Sequence, residues 1–327
     1  MVFQPEHIGL YFGQAQIDTA QKQREDDENL QTAWRWLLAK PEEVVREITV
    51  NKHDENPTLV RKPTLSALDA AVVAGVCYRF ADDEQAGQKA TVFLESALQD
   101  KSSFLETVME TIAAAHIYEM LRPIAGDKWR GQFAAYVATL SATDETSYLE
   151  RTWLMTLNMV AAIVLDDEER FSQAVKQFQH IIDYDIHPEG YIKPVISPKP
   201  QETATFKDML LTVAALALAA EAATQAGVDL WAYEKREVGL MTVAPYLVYY
   251  YFYPEKWHWK DTSSEEETRQ LLRQYGAFIE MVAYRGKPRG VEMLLEEERP
   301  LFSGLVGGLT TLTHGAVPKR KRRWFEF

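Results

Sequence analysis

The sequence predicts an all-α protein assembled from repeated helical hairpins, and two observations carry that prediction. Apolar residues recur with a helical period along most of the chain, whereas no set of segments alternates as strands do. A joint is also repeated. "RFADDEQAGQKA" begins at Arg79 and "IVLDDEERFSQA" at Ile163, each with an Asp-Asp-Glu run after an apolar stretch and an Ala eight residues beyond the first Asp.

The predicted helices follow in pairs. "LSALDAAVVAGVCYRF" at 65–80 is apolar and Ala-rich, and the more amphipathic "DEQAGQKATVFLESAL" at 83–98 answers it. The same alternation joins 104–124 to 127–141 and 148–165 to 167–182, and it continues through 207–226, 238–252 and 265–284. Five to six such pairs suggest either a curved solenoid or a closed ring of hairpins. The aspartates Asp82, Asp83, Asp166 and Asp167 fall where one helix stops and the next begins. Short acidic side chains there cap free amides and complement the positive end of the helix dipole. An Asp-rich metalloenzyme of the terpene-cyclase kind is the alternative reading of these clusters. Metal ligands must converge on one pocket, however, and equivalent joints of a repeat do not. Neither a metal nor a cofactor is expected.

One interval breaks the pattern. "DYDIHPEGYIKPVISPKPQETATF" at 183–206 holds four prolines and is too long for an idle joint in a compact helical domain, where longer loops tend to be functional. His187 lies in it beside a proline. His116, on an apolar helix, reads as a satisfied core histidine, and the single Cys77 as a buried small hydrophobe.

Composition bounds the rest. At 46% hydrophobic and 25% charged residues over 327 positions, the chain has the balance of a folded globular protein. A net charge of −13 argues against nucleic-acid binding. The first residues lack the basic start and apolar run of a signal peptide, and no run is long enough for a membrane span, so a cytoplasmic location is expected. A single domain over 1–318 is followed by a basic and aromatic tail at 319–327, "KRKRRWFEF" after Pro318, which reads as a solvated tail or a partner contact.

The stretch "LALAAEAATQAGVDLWAYEKREVGLMTVAPYLVYYYFYPEKWHW" at 216–259 resembles the alginate lyase family. The likeness rests on Gly227, Asp229, Leu230, Trp231, Tyr233 and the pair Lys256-Trp257. The opening "HIGLYFGQAQIDTAQKQ", the following "TAWRWLLA" and the "FADDEQAGQKA" joint are also similar to that family. The resemblance implies an incomplete α/α toroid and β-elimination beside a uronic acid carboxylate. Such a site neutralises the carboxylate and sets a base and an acid against the sugar. It also implies an Asn-His pair shortly before a Trp, and a later Arg and Tyr. Trp153 matches, but Leu149 and Glu150 stand where Asn and His would, the Arg is not evident, and the Tyr falls near Asp208.

The residues present suggest substitutes. Glu150 is the candidate base, Arg151 or Lys193 the group that neutralises an acid, Tyr148 or Tyr191 the proton donor, and His187 a further catalytic candidate. Tyr148, Trp153, Lys193, Trp257, His258 and Trp259 are candidate substrate-binding residues, since an aromatic face suits the apolar side of a pyranose. Arg151, Lys193, Lys199 and Lys207 would supply a positive focus in an acidic chain. The expected partner is an acidic oligosaccharide or polysaccharide, acted on or bound. A catalytically inactive toroid serving as a binding or scaffold protein is the alternative.

Overall fold

The computed structural model describes residues 2–39, 44–48, 58–61, 65–196, 205–257 and 264–316. Two helices, α1 (Gln14–Lys22) and α2 (Glu28–Leu38), precede an antiparallel hairpin of β1 (Val44–Ile48) and β2 (Thr58–Arg61). Three helical pairs follow. They are α3 (Ala67–Ala81) with α4 (Glu84–Leu94), α5 (Phe104–Ala125) with α6 (Asp127–Val137), and α7 (Tyr148–Leu165) with α8 (Glu168–His180). A π-helical turn, Ile181–Asp185, leads to the short α9 (Lys193–Ile196) and then α10 (Phe206–Gln225). Beyond a two-residue hairpin, β3 (Glu234–Lys235) and β4 (Val238–Gly239), come α11 (Ala244–Phe252) and α12 (Glu265–Tyr275). The described chain closes with α13 (Phe278–Gly286), α14 (Val291–Glu298) and α15 (Thr310–His314). The expected all-α architecture is observed. The β1–β2 hairpin falls in a stretch where periodicity predicted no strand, because strands this short offer too few alternations to register.

Helices α3, α5, α7, α10, α13 and α15 are successive neighbours around a ring, α1 joins α15 back to α3, and α2 packs on α15. The result is an α/α toroid. The inner members are the apolar ones. In α10 almost every side chain from Phe206 to Ala223 is buried, which a helix apolar on all sides requires. The outer α8 shows the opposite pattern, with Phe171, Ala174, Val175 and Phe178 facing inward and charged residues outward. Trp129 on α6 stacks on Tyr118 of α5, the ring centroids 4.6 Å apart. Cys77 departs from expectation: it is only half-buried, against the rim of the core.

The repeated joints have the same geometry, but their two aspartates divide the work. Asp83 accepts a hydrogen bond from the Ala86 amide at 3.0 Å, and Asp167 accepts one from the Arg170 amide at 3.0 Å. Asp82 (φ 53°) and Asp166 (φ 59°) instead turn the backbone through the left-handed region that ends the preceding helix. Asp166 does more. Its carboxylate takes hydrogen bonds from Arg122 Nη2 at 3.1 Å, Arg130 Nη2 at 2.7 Å and His7 Nε2 at 2.8 Å, tying the amino-terminal segment and α6 to the ends of α5 and α7.

Buried carboxylates bind the second half of the ring. Glu221 on α10 receives Trp231 Nε1 at 2.9 Å and Arg285 Nε at 2.8 Å. His314 Nε2 lies 3.3 Å away without a hydrogen bond to it. Against its burial, the nearby His314 ring first and then the Arg285 guanidinium hold the Glu221 carboxyl down at about 2. Glu280 is clasped by Arg299 through two bonds of 2.8 and 3.0 Å and accepts Thr311 Oγ1 at 2.7 Å. At the seam, Asn29 Nδ2 donates to Gly315 O at 3.0 Å.

Candidate active-site cleft

The helical hairpins bring the starts of the inner helices to one end of the ring, and the expected catalytic residues lie there. Helix α7 begins with a capping box. Ser147 Oγ accepts the Glu150 amide at 3.2 Å, while the Ser147 amide and hydroxyl both donate to Glu150 Oε2 at 2.8 Å. The Glu150 carboxylate is therefore engaged in its own helix. Arg151 turns away toward the preceding loop, its guanidinium donating to Thr146 O at 3.0 Å and Thr143 O at 2.8 Å.

Tyr148 connects α7 to the irregular segment. Its hydroxyl donates to Asp185 Oδ2 at 2.8 Å, and burial first, then the Asp185 charge, raises its pKa. Two residues on, His187 stacks on Tyr191 with ring centroids 4.3 Å apart and planes 6° from parallel. The His187 amide donates to Tyr191 O, the Glu189 amide to His187 Nδ1, and Gly190 makes the reversal with φ 95°. A Cβ at Gly190 would meet Thr242 O at 2.6 Å, so only glycine allows this turn to approach the following segment. Lys193 Nζ donates to Tyr184 O at 2.8 Å. Tyr148, His187, Tyr191 and Lys193 thus share one region, with Glu150 and Arg151 on its border.

An aromatic chain continues from there. Tyr191 lies 6.0 Å from Tyr246, which meets Tyr250 at 4.9 Å, and Tyr250 meets Trp257 at 4.9 Å. Trp257 is buried against Phe206 and Trp153 has no exposed surface. Stacking on a sugar needs an open ring face, so in this conformation neither tryptophan offers a platform. Tyr191 and Tyr246 are half-exposed, and one face of Tyr191 is covered by the His187 ring. His258, Trp259 and Lys199 lie outside the described residues, as does the basic tail.

Three of the four residues of the expected positive focus are described. Arg151 and Lys193 each donate to backbone carbonyls, and Lys207 Nζ sits 5.9 Å from the ring centroid of Tyr275. Tyr275 itself was not legible in the sequence. It ends α12, half-buried, and burial followed by the Glu106 charge raises its phenol. No local motif marks it, because the partners that place it come from α5 and α10.

On the far side of the same end, a cavity of about 650 Å³ opens between the starts of α3 and α5, the end of α12 and the 302–305 segment. Within it Lys101 Nζ and Glu110 Oε2 pair at 2.8 Å. Asp69 closes the α3 capping box with Ser66 and accepts the Gly304 amide at 3.2 Å. No spacing rule singles out Lys101 or Glu110, since the pairing depends on how the helix start folds back on its own second turn.

A toroid of helical hairpins of this kind is the fold of alginate lyases. The chain belongs to the alginate lyase family, whose model matches residues 13–257. Alginate lyase A1-III from Sphingomonas species A1 is 14% identical and superposes with a TM-score of 0.68, covering 96% of this chain and 97% of that one. A tyrosine-to-phenylalanine variant of alginate lyase A1-III complexed with a tetrasaccharide gives 15% identity and a TM-score of 0.73 over 97% and 98% of the two chains. The apo form of a histidine-to-alanine variant gives 13% and 0.69 over the same shares. No curated sequence matches the chain significantly. Among the described residues, no helix is long and apolar enough to cross a membrane.

Proposed function

We propose that this protein binds an acidic oligosaccharide or polysaccharide in the cleft at the starts of the inner helices, and holds it without carrying out the family's elimination. The alginate lyase family supplies the polysaccharide relation. The observation that carries the rest is the state of Glu150. β-Elimination next to a carboxylate removes a weakly acidic proton, so the base must reach the sugar with an available lone pair and the right pKa. Glu150, at the place where the resemblance implies a histidine, has its Oε2 held by the Ser147 amide and hydroxyl, which ties the side chain to the start of its own helix as a cap. Leu149 stands where the resemblance implies an asparagine, and the implied tyrosine falls near Asp208.

What remains suits binding. Tyr191 and Tyr246 present aromatic surface, Tyr148 and Asp185 a fixed polar pair, and His187 a polar ring edge beside them. Each can hold a sugar through stacking or hydroxyl contacts.

The test has two readouts on the same sample. Incubation with polymannuronate should give little or no rise in the ultraviolet absorbance of a double bond conjugated to the carboxylate. Titration calorimetry with acidic oligosaccharides should give heat, weakened by Tyr191→Ala or His187→Ala. Robust absorbance would overturn the binding-only reading, and Glu150, Arg151, His187 and Tyr191 would then be the first residues to replace. Absence of both signals would remove the saccharide altogether.

A further inference from the structure

The cavity by α3 and α5 differs in chemistry from the aromatic region by α7. Among its described lining residues the charged side chains are Asp69, Lys101 and Glu110, two carboxylates against one ammonium. The ammonium is already paired with Glu110, and both partners are only about a quarter exposed (23% and 29%). The Lys101 backbone is fixed as well, its amide donating to Thr107 Oγ1 at 2.9 Å. Half-buried Phe93 and Phe302 add apolar ring surface, and Phe302 is backed by Trp36 at 4.7 Å. Gln274 at the end of α12 adds an exposed amide.

Such a site suits hydroxyls. A carboxylate oxygen and an ammonium held 2.8 Å apart present an acceptor beside donors, and adjacent sugar hydroxyls can answer both at once without adding charge. Ring carbons can lie on the phenylalanines. A uronate would bring a third carboxylate into a place whose single cation is neutralised, and would lose hydration without a counter-charge.

We infer that this cavity receives an uncharged, hydroxyl-rich sugar unit, so that the saccharide accepted by the cleft carries a neutral sugar beside its acidic one. The inference rests on the saccharide-binding reading above and narrows it from a uniform polyuronate to a mixed polymer.

Three probes separate the cases in calorimetric titrations: tetramannuronate, which is acidic throughout; cellotetraose, which is neutral; and a hyaluronan tetrasaccharide, which alternates glucuronate with an uncharged N-acetylated sugar. The alternating probe should bind tightest. Glu110→Gln and Lys101→Met should each weaken it by about tenfold, the usual scale for a lost hydrogen bond to a charged group, while leaving tetramannuronate unchanged. Gln274→Ala, at an exposed position lining the same cavity, probes it without disturbing the ion pair should either variant fold poorly. If tetramannuronate binds tightest, or if the alternating probe ignores all three substitutions, the neutral-sugar cavity is wrong although the saccharide reading stands. If none of the probes binds the unmodified protein, both are wrong.

Discussion

At the scale of single residues, His116 shows how burial alters a group without giving it a function. It sits on α5 against Tyr11 and Phe12, at 4.6 and 5.8 Å between ring centroids. Nδ1 accepts the Leu10 amide at 3.4 Å, while buried Nε2 has no partner, so the histidine is in the core but only half satisfied. Burial pushes its pKa down to about 3 from an ordinary 6.5. Between those values the unfolded chain takes up a proton that the native state refuses. Stability should therefore fall as pH drops from 6.5 toward 3, by at most about 1.4 kcal/mol per pH unit. His7, whose pKa is raised, works in the opposite direction. Urea unfolding at pH 7, 6 and 5 should show a net decline, and His116→Gln should flatten it. An unchanged slope in that variant would mean that the decline comes from elsewhere. The core position of His116 was legible from its apolar neighbours. The orphaned nitrogen was not, because Leu10 and Tyr11 are distant in sequence. Glu150 shows the converse: Ser147 three residues earlier spells a capping box, a local signal that the reading of Glu150 as a base passed over.

At the scale of elements, the two Asp-Asp joints look alike in sequence and differ in duty. Asp83→Ala and Asp167→Ala each remove a side-chain cap and should cost about 0.5–2 kcal/mol. Asp82→Gly should be nearly neutral, since glycine adopts a positive φ without strain. Asp166→Gly relieves the same backbone but also removes contacts with Arg122, Arg130 and His7, and should cost about 1–2 kcal/mol given their partial exposure. Chemical denaturation of the four variants checks the split. Equal losses at Asp82 and Asp166 would deny the ion cluster its role. The position of these joints was readable from helical period alone. Their inequality was not, because Arg122, Arg130 and His7 reach Asp166 through the ring. The irregular 183–206 stretch was likewise visible as an interruption, while the stacking of His187 on Tyr191 depends on a turn that only the folded Gly190 reveals.

At the scale of the whole molecule, alternating apolar and amphipathic helices announced a ring or a solenoid. What closes the ring is the packing of α1 and α2 on α15 and of α1 on α3, and buried charge ties its second half together, neither of which periodicity reports. Glu221 links α10 to α13 through Arg285, and Glu221→Ala would strand that guanidinium, at a cost of about 3 kcal/mol. Glu221→Gln, which keeps an acceptor for Trp231, should lose less. Calorimetric unfolding of both variants distinguishes a structural clasp from a dispensable one. Acid should attack the same clasp. With its carboxyl at about 2 in the native state and ordinarily near 4.5, Glu221 contributes stability that is full above pH 4.5 and lost as pH falls toward 2. The seam between α2 and α15 has a temporal consequence as well. The bond from Asn29 to Gly315 spans 286 positions, so on the ribosome α1 and α2 emerge long before the surface that covers them exists. Until translation reaches α15, Leu30, Ala33 and Leu37 have part of their cover missing. Long-range closure of this kind is slow and leaves apolar surface open to other chains. A nascent chain stalled before residue 300 should therefore recruit holding chaperones through its amino-terminal helices, and release them once the last inner helix docks.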